Sequence, residues 1–385
     1  MSTLADLIAV LDAAYPPELA EPWDAVGLVC GDPADEVRDV LLAVDATEAV
    51  VDDALDRGVQ ALVVHHPLLL RGVHGVGADT VKGALVHRLV RGGCALFTAH
   101  TNADRADPGV SDALAGVLGL QGLSPVEPEA LGWDKLITTV PVADADRLID
   151  ALFAAGAGQV GAYSEVAFRS VGRGQFRPGR GTHPTIGAPG VLEQVDEQRI
   201  ELALPREQRS AVVAALLAAH PYEEPVYDVL TLAERPGRRG LGRVGELARA
   251  ESLRTFTARA ATALPRTAWG VRAAGDPGRS VHRVAVCGGA GDGLLEVVAG
   301  LGVDAYVTAD LRHHPADEHL RAGGPALVDV AHWASEQPWC GQAQAVIERG
   351  LPGTVTARVS SQRTDPWTLG AGGTGTPEQQ LEAPE

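Results

Sequence analysis

At 385 residues and 40.0 kDa the chain is long enough for two or three domains, and its 45% apolar and 21% charged residues exclude a disordered or fibrous class. A formal net charge of -18 repels phosphate backbones and anionic lipid, which disfavours nucleic acid and membrane surfaces as partners. The cysteines Cys30, Cys94, Cys287 and Cys340 form no C-x-x-C pair, as expected in a reduced cytoplasm. Asp6 and Asp12 interrupt the first apolar stretch and no apolar run reaches the ~18 residues of a membrane span, so neither a signal peptide nor a spanning helix is expected.

Leu4, Leu7, Ile8 and Leu11 recur at helical spacing, which predicts a helix over residues 3–15, capped by Thr3 and ended by Pro16-Pro17. A loop with Trp23-Asp24 and Gly27 follows. Val40 to Val44 then reads as a buried strand, Glu48 to Arg57 as a helix stopped by Gly58, and Ala61 to Val64 as a second strand. This β-α-β order implies a parallel pair with a right-handed crossover. Ala95-Leu96-Phe97 is the third strand. From Asp134 to Leu232 the rhythm changes: strand 137–140, helix 143–155, strands 165–169 and 200–203, helix 207–220 and strand 227–230 give the ferredoxin-like order β-α-β-β-α-β. Gly172 to Gly190 reads as a long exposed loop and residues 236–240 as a linker.

Sliding the chain over itself by 244 residues exposes an internal repeat. Val40-Leu41-Leu42 lies over Val284-Ala285-Val286, Gly58-Val59 over Gly302-Val303, and Ala61-Leu62-Val63 over Ala305-Tyr306-Val307. A third strand, Ala326-Leu327-Val328, completes the second copy. The expected fold is therefore α/β, with two similar α/β lobes (1–130 and 237–369) forming one discontinuous domain around an inserted ferredoxin-like α+β domain (131–236). Residues 370–385, rich in Gly, Pro, Gln and Glu, are expected to form a disordered tail.

Ligands of parallel sheets bind at the carboxyl ends of strands, and three predicted strands end in metal-binding residue types. His65-His66-Pro67 follows the second strand, Thr98 to Asp104 follows the third and contains His100 and Asp104, and Asp329 to Glu336 follows the last. On a helix starting near His332, His332 and Glu336 share a face at i and i+4. A second pair, His313-His314, falls beyond the equivalent strand end, because Asp310 lies over His66 in the repeat. Imidazole and carboxylate suit Zn, Mn, Fe, Co or Ni. Five donors, His65, His66, Asp104, His332 and Glu336, exceed the three protein ligands of an open catalytic zinc, whereas two ions with bridging carboxylates would use all five.

Taken together, Trp23-Asp24 with Gly27-Leu28, His65-His66-Pro67-Leu68-Leu69, Ala99-His100-Thr101-Asn102 with Asp104, Thr308 with Asp310, and Asp329 with His332 and Glu336 resemble the Nif-three-like dinuclear metal proteins, the GTP cyclohydrolase I type 2 homologues. The middle segment, with His220-Pro221-Tyr222-Glu223-Glu224-Pro225, looks like the PII-like insert of longer members. The resemblance implies a metal pair held by the five donors between the lobes, a ring-shaped homohexamer, and attack of hydroxide on C8 of GTP to give dihydroneopterin triphosphate and formate. His100 is the candidate proton shuttle. No Walker-type loop is present, and Arg71 and Arg105 are the cations nearest the site in sequence. Ala25, Ala309 and His313 stand where the family usually has Asn, Gly and often Tyr. Two other functions fit the same motifs: a metal-binding regulator or scaffold whose insert senses a ligand, and a metal-dependent phosphoesterase.

Overall fold

Thr3 opens the first helix, Leu4–Ala14, with a capping box: its hydroxyl accepts the Asp6 N–H at 3.3 Å and the Asp6 carboxylate accepts the Thr3 N–H at 2.8 Å. Leu4, Leu7 and Leu11, one stripe of that helix, are fully buried. The computed structural model describes residues 1–370, and the expected tail lies, from residue 371, outside the described residues. Among the described residues no helix is long and apolar enough to cross a membrane. The fold is mixed α/β and divides into two units, one from Met1–Pro128 and the chain from Arg238 on, the other Glu129–Gly237.

In the first unit, a five-stranded sheet runs in the order Thr356–Val359, Asp39–Ala43, Ala61–Val64, Ala95–Thr98, Gly27–Cys30. A six-stranded sheet runs Val271–Ala274, Ala326–Val330, Ala305–Ala309, Ser280–Ala290, Arg243–Ser252, Leu120–Ser124. The three parallel strands at the centre of each sheet are Val, Leu and Ala runs, as burial on both faces requires. Their first pairings keep one register, since Val40 faces Ala61 and Val284 faces Ala305, 21 residues on in both cases.

Each half of the chain also lends a strand to the other's sheet. Thr356–Val359 joins the first sheet parallel to Asp39–Ala43, and Leu120–Ser124 joins the second antiparallel to Arg243–Ser252. The helix His332–Gly350 leaves the last central strand of the second sheet and buries Trp339, Cys340, Ala343 and Ile347 in the core beneath the first, against Leu4, Leu7 and Leu11. That one helix places His332 and Glu336 where the two sheets meet. Arg243, 1% exposed, ties the halves together, donating to the Ala106, Gly240 and Gly242 carbonyls and pairing with Asp112 at 2.8 Å.

The unit Glu129–Gly237 has a four-stranded antiparallel sheet in the order Phe168–Phe176, Glu193–Pro205, Trp133–Pro141, Tyr227–Thr231, with helices Ala145–Ala154 and Arg209–Ala219. Three local expectations need correction. The strand expected at 165–169 runs over Phe168–Phe176 and that at 200–203 over Glu193–Pro205, so the loop expected at 172–190 begins only after Phe176. Composition misled there, because Gly174 is an extended, paired residue whose missing Cβ leaves room for the Glu197 carboxylate, 2.2 Å from where a Cβ would lie. Residues 236–240, expected as a linker, belong to the strand Arg235–Leu241, and Gly27, expected in a loop, opens a strand paired to Thr98.

Candidate metal centre

Five imidazole and carboxylate side chains converge where the strand ends meet the start of the His332–Gly350 helix. Glu336, 3% exposed, is the hub: its Oε1 lies 3.0 Å from His332 Nε2 and 3.6 Å from His65 Nε2, and its Oε2 lies 3.1 Å from His66 Nε2. Asp104 Oδ1 approaches His65 Nε2 at 3.7 Å. Two trios, His65, His66 and His100, and His66, His332 and Glu336, each bring one ligand atom per residue within 4.8 Å of the others. His313 and His314 are exposed on the first turn of their own helix.

Each imidazole is oriented through its other nitrogen. His65 Nδ1 donates to the Ala99 carbonyl at 2.8 Å, and the Nδ1 atoms of His66, His100 and His332 face Asp45, Asp24 and Asp310 at 2.7, 2.8 and 2.6 Å. Such partners orient each ring and aim its Nε2 into the cluster, the arrangement common to metal-ligating histidines. Asp310 is one of two described non-glycine residues with positive φ, at 56°, a conformation that turns the chain sharply after the Ala305–Ala309 strand.

The carboxylates and imidazoles of the site shift one another's proton affinities. Burial lowers the proton affinity of His66, but Glu336 and Asp45 outweigh it and raise its pKa to about 11. For His332, burial is likewise overcome by Glu336 and Asp310, giving about 9, and Asp104 and Glu336 raise His65 against the same burial effect. Burial would raise Glu336, yet the His66 and His65 charges and the His332 hydrogen bond hold it well below the usual range. Burial lifts Asp104 to about 6, and burial together with the His65 charge lowers His100. Protons thus occupy imidazoles where a cation would sit.

A model of the family described as Duf34/NIF3 (NGG1p interacting factor 3) matches residues 2–366. The chain belongs to this family. It is 55% identical over 370 residues to a GTP cyclohydrolase 1 type 2 homolog of Mycobacterium leprae, covering 96% of each chain, and 57% identical over 369 residues to that of Mycobacterium tuberculosis, covering 95% and 97%. Among solved structures, a Bacillus cereus protein related to NIF3 superposes with a TM-score of 0.76 at 34% identity, covering 95% of this chain and 99% of its own. Staphylococcus aureus protein SA1388 superposes with a TM-score of 0.80 at 29% identity, covering 95% and 98%.

In this Duf34/NIF3 chain the residues fit a metal on three independent counts. His65 Nε2 and Glu336 Oε2 are buried without a hydrogen-bond partner among the described residues, although each faces opposite charge. The donor set is imidazole and carboxylate with oriented rings. Gly289, at φ +69°, has no side chain where a Cβ would stand 2.5 Å from Glu336 Oε1 and 3.3 Å from His332 Nε2. Sequence reasoning singled out neither Gly289 nor Asp45. Asp45 lies two residues past the strand Asp39–Ala43, so the strand-end rule that found His65 also applied to it.

Proposed function

We propose that this protein is a dinuclear metal-dependent hydrolase acting on a purine nucleotide, in the manner of a GTP cyclohydrolase I type 2. The observation that carries the reading is Glu336, buried with three imidazoles around its two oxygens, a carboxylate suited to bridging two ions. His65, Asp104, His66, His332 and Glu336 are the proposed ligands. When bound, two divalent ions would lower the pKa of water and supply hydroxide at neutral pH.

The protein's own residues would do the rest. Asp24, side chain fully buried, accepts the His100 Nδ1 proton, and its second oxygen accepts the Thr101 N–H at 3.0 Å and hydroxyl at 2.5 Å. Burial opposes ionisation of Asp24, but those hydrogen bonds from Thr101 and His100 win and keep its pKa low. Burial and the His65 charge lower the His100 pKa against the pull of Asp24, which favours the neutral imidazole that would take a proton at Nε2 and return it to a leaving nitrogen. Trp23 stands edge-on to His100 at 6.1 Å between centroids.

A second reading, a regulator with a ligand-sensing insert, is favoured by one observation. The unit Glu129–Gly237 contains a cavity of about 490 Å³ walled by Phe176, Ile186 and Tyr222, with Glu197 accepting the Tyr222 hydroxyl at 2.8 Å. The deciding experiment loads the purified protein with Zn, Mn, Fe, Co or Ni and measures formate and phosphate released from GTP separately. Formate is expected, with His100→Ala keeping its metal and losing roughly 10²- to 10⁴-fold in rate. Phosphate alone moves the reading to a phosphoesterase, and no product from the metal-loaded protein moves it to a regulator. A ring-shaped homohexamer in the cytoplasm is the proposed setting, checked by solution mass.

A further inference from the structure

In the unit Glu129–Gly237 the two faces of the sheet are put to different use. Ile200, Leu202 and Leu204 turn one face to the helix residues Leu148, Leu152, Val212 and Leu216, and alternation along the strand puts Glu197 on the other. There Glu197 is only 7% exposed, at the floor of the cavity of about 490 Å³ that residues 177–186 cover. Two hydrogen bonds fasten that cover: the His183 N–H donates to Glu223 Oε2 at 3.1 Å, and the Thr185 hydroxyl to the Pro221 carbonyl at 2.5 Å. Phe176 and Tyr222, with ring centroids 5.4 Å apart, form one wall. A volume of this size, with apolar walls and a few convergent polar groups, is that of a small-molecule site.

The two oxygens of Glu197 differ. Oε1 accepts the Tyr222 hydroxyl at 2.8 Å, and burial together with Glu197 raises the Tyr222 pKa, so the phenol stays a donor at neutral pH. Oε2 lies over Gly174, in the space a Cβ would take, and has no hydrogen-bond partner among the described residues. It is not sealed in protein as Asp134 Oδ1 is, and its remaining surface looks into the cavity that Glu197 and Gly174 both line. A carboxylate oxygen this far withdrawn from water gains most from a charged donor brought to it. The rest of the lining agrees in sign. Glu223 and Glu224 add two carboxylates against one guanidinium, that of Arg177, which donates to the Gly190 carbonyl at 2.6 Å. Such a lining repels anions and attracts cations.

We propose that this cavity binds a small organic cation, an ammonium head on a short apolar body, with Glu197 Oε2 accepting from the head and Phe176 and Tyr222 flanking the body. The inference gives the ligand-sensing reading its ligand class, and rests on that reading for the consequence of binding, not for binding itself. An ammonium close to aromatic rings is attracted to their faces as well as to the carboxylate. A neutral or anionic analogue of the same shape gains neither.

The test titrates full-length protein by calorimetry with 2-phenylethylamine, 2-phenylethanol and phenylacetate, which share a phenyl body and carry positive, no and negative charge at pH 7. The amine is expected to bind saturably, the alcohol at least about tenfold more weakly, and phenylacetate without detectable heat, the discrimination of a charge-assisted hydrogen bond. Glu197→Gln, which keeps the shape of the side chain, should lose amine affinity at least about tenfold and leave the alcohol unchanged. Glu224→Gln, at an exposed position, should weaken the amine about twofold. Circular dichroism and metal content should match the unsubstituted protein in both variants. Equal affinity for amine and alcohol, no saturable binding of the amine, or unchanged amine affinity in a folded Glu197→Gln protein overturns the proposal, and if that variant fails to fold the charge series decides alone. Selective amine binding that changes neither metal content nor product release would sink the sensing reading and leave the site standing. Product release from GTP without selective amine binding would remove the site and leave the hydrolase reading untouched.

Discussion

The two sheets of the first unit share a plan and differ at their tips. In both, the first and second parallel strands are offset by 21 residues and filled with Val, Leu and Ala. The second strand of one, however, ends in His65-His66, whereas its counterpart Ala305–Ala309 ends in Asp310, which orients His332 from behind. The other sheet delivers its donors one strand later, on the helix that begins at His332. The shared strand offset thus fixes where strand ends meet, while the few residues after each strand decide whether that end supplies a side chain to the cluster or a support behind it. The core constrains the strands because burial tolerates little change of volume. The tips face the cleft and are free to diverge.

This division of labour can be broken at its hub first. Glu336→Ala should abolish metal binding measured by elemental analysis, and Gly289→Ala should come close, because the new methyl occupies the place of the carboxylate. A Gly289→Ala protein with full metal content would show that Glu336 can move without loss. The tie between the halves comes next: Arg243→Met leaves Asp112 without its buried partner and should cost about 3–5 kcal/mol in denaturant unfolding. An unchanged unfolding midpoint would mean that the strand exchange alone holds the halves together.

Smaller effects sharpen the comparison between tips. Asp45→Ala and Asp310→Ala, one orienting partner from each sheet, should each weaken metal affinity about 10- to 100-fold, and a marked inequality between them would mean that one sheet dominates the site. Metal binding should release protons at pH 7, because His66 and His332, with pKa values raised to about 11 and 9, hold protons that the ion must displace. Affinity should therefore rise with pH through 9 and fall as acid is added. Calorimetry in two buffers of different ionisation enthalpy reads the release directly, and identical heats in both would refute it. The smallest effect belongs to His313→Ala with His314→Ala, which should leave metal content unchanged, since that pair is exposed on its own helix.

What the sequence determined by itself was local or periodic: the capped first helix, the three buried parallel strands of each sheet, their repeat, and histidines placed directly after strands. These follow from hydrophobic period and from chain direction, both of which are written in neighbouring residues. The tertiary structure alone decided the exchanged strands Thr356–Val359 and Leu120–Ser124, because an edge strand is recruited by a partner more than a hundred residues away and has little pattern of its own. It alone revealed that Gly174 and Gly289 make room for carboxylates, since a missing Cβ has meaning only beside the atom that fills its place. It likewise brought Glu197 and Tyr222 together in one cavity wall, a pairing across 25 residues that no spacing along the sequence encodes, because the two meet only once the sheet has formed.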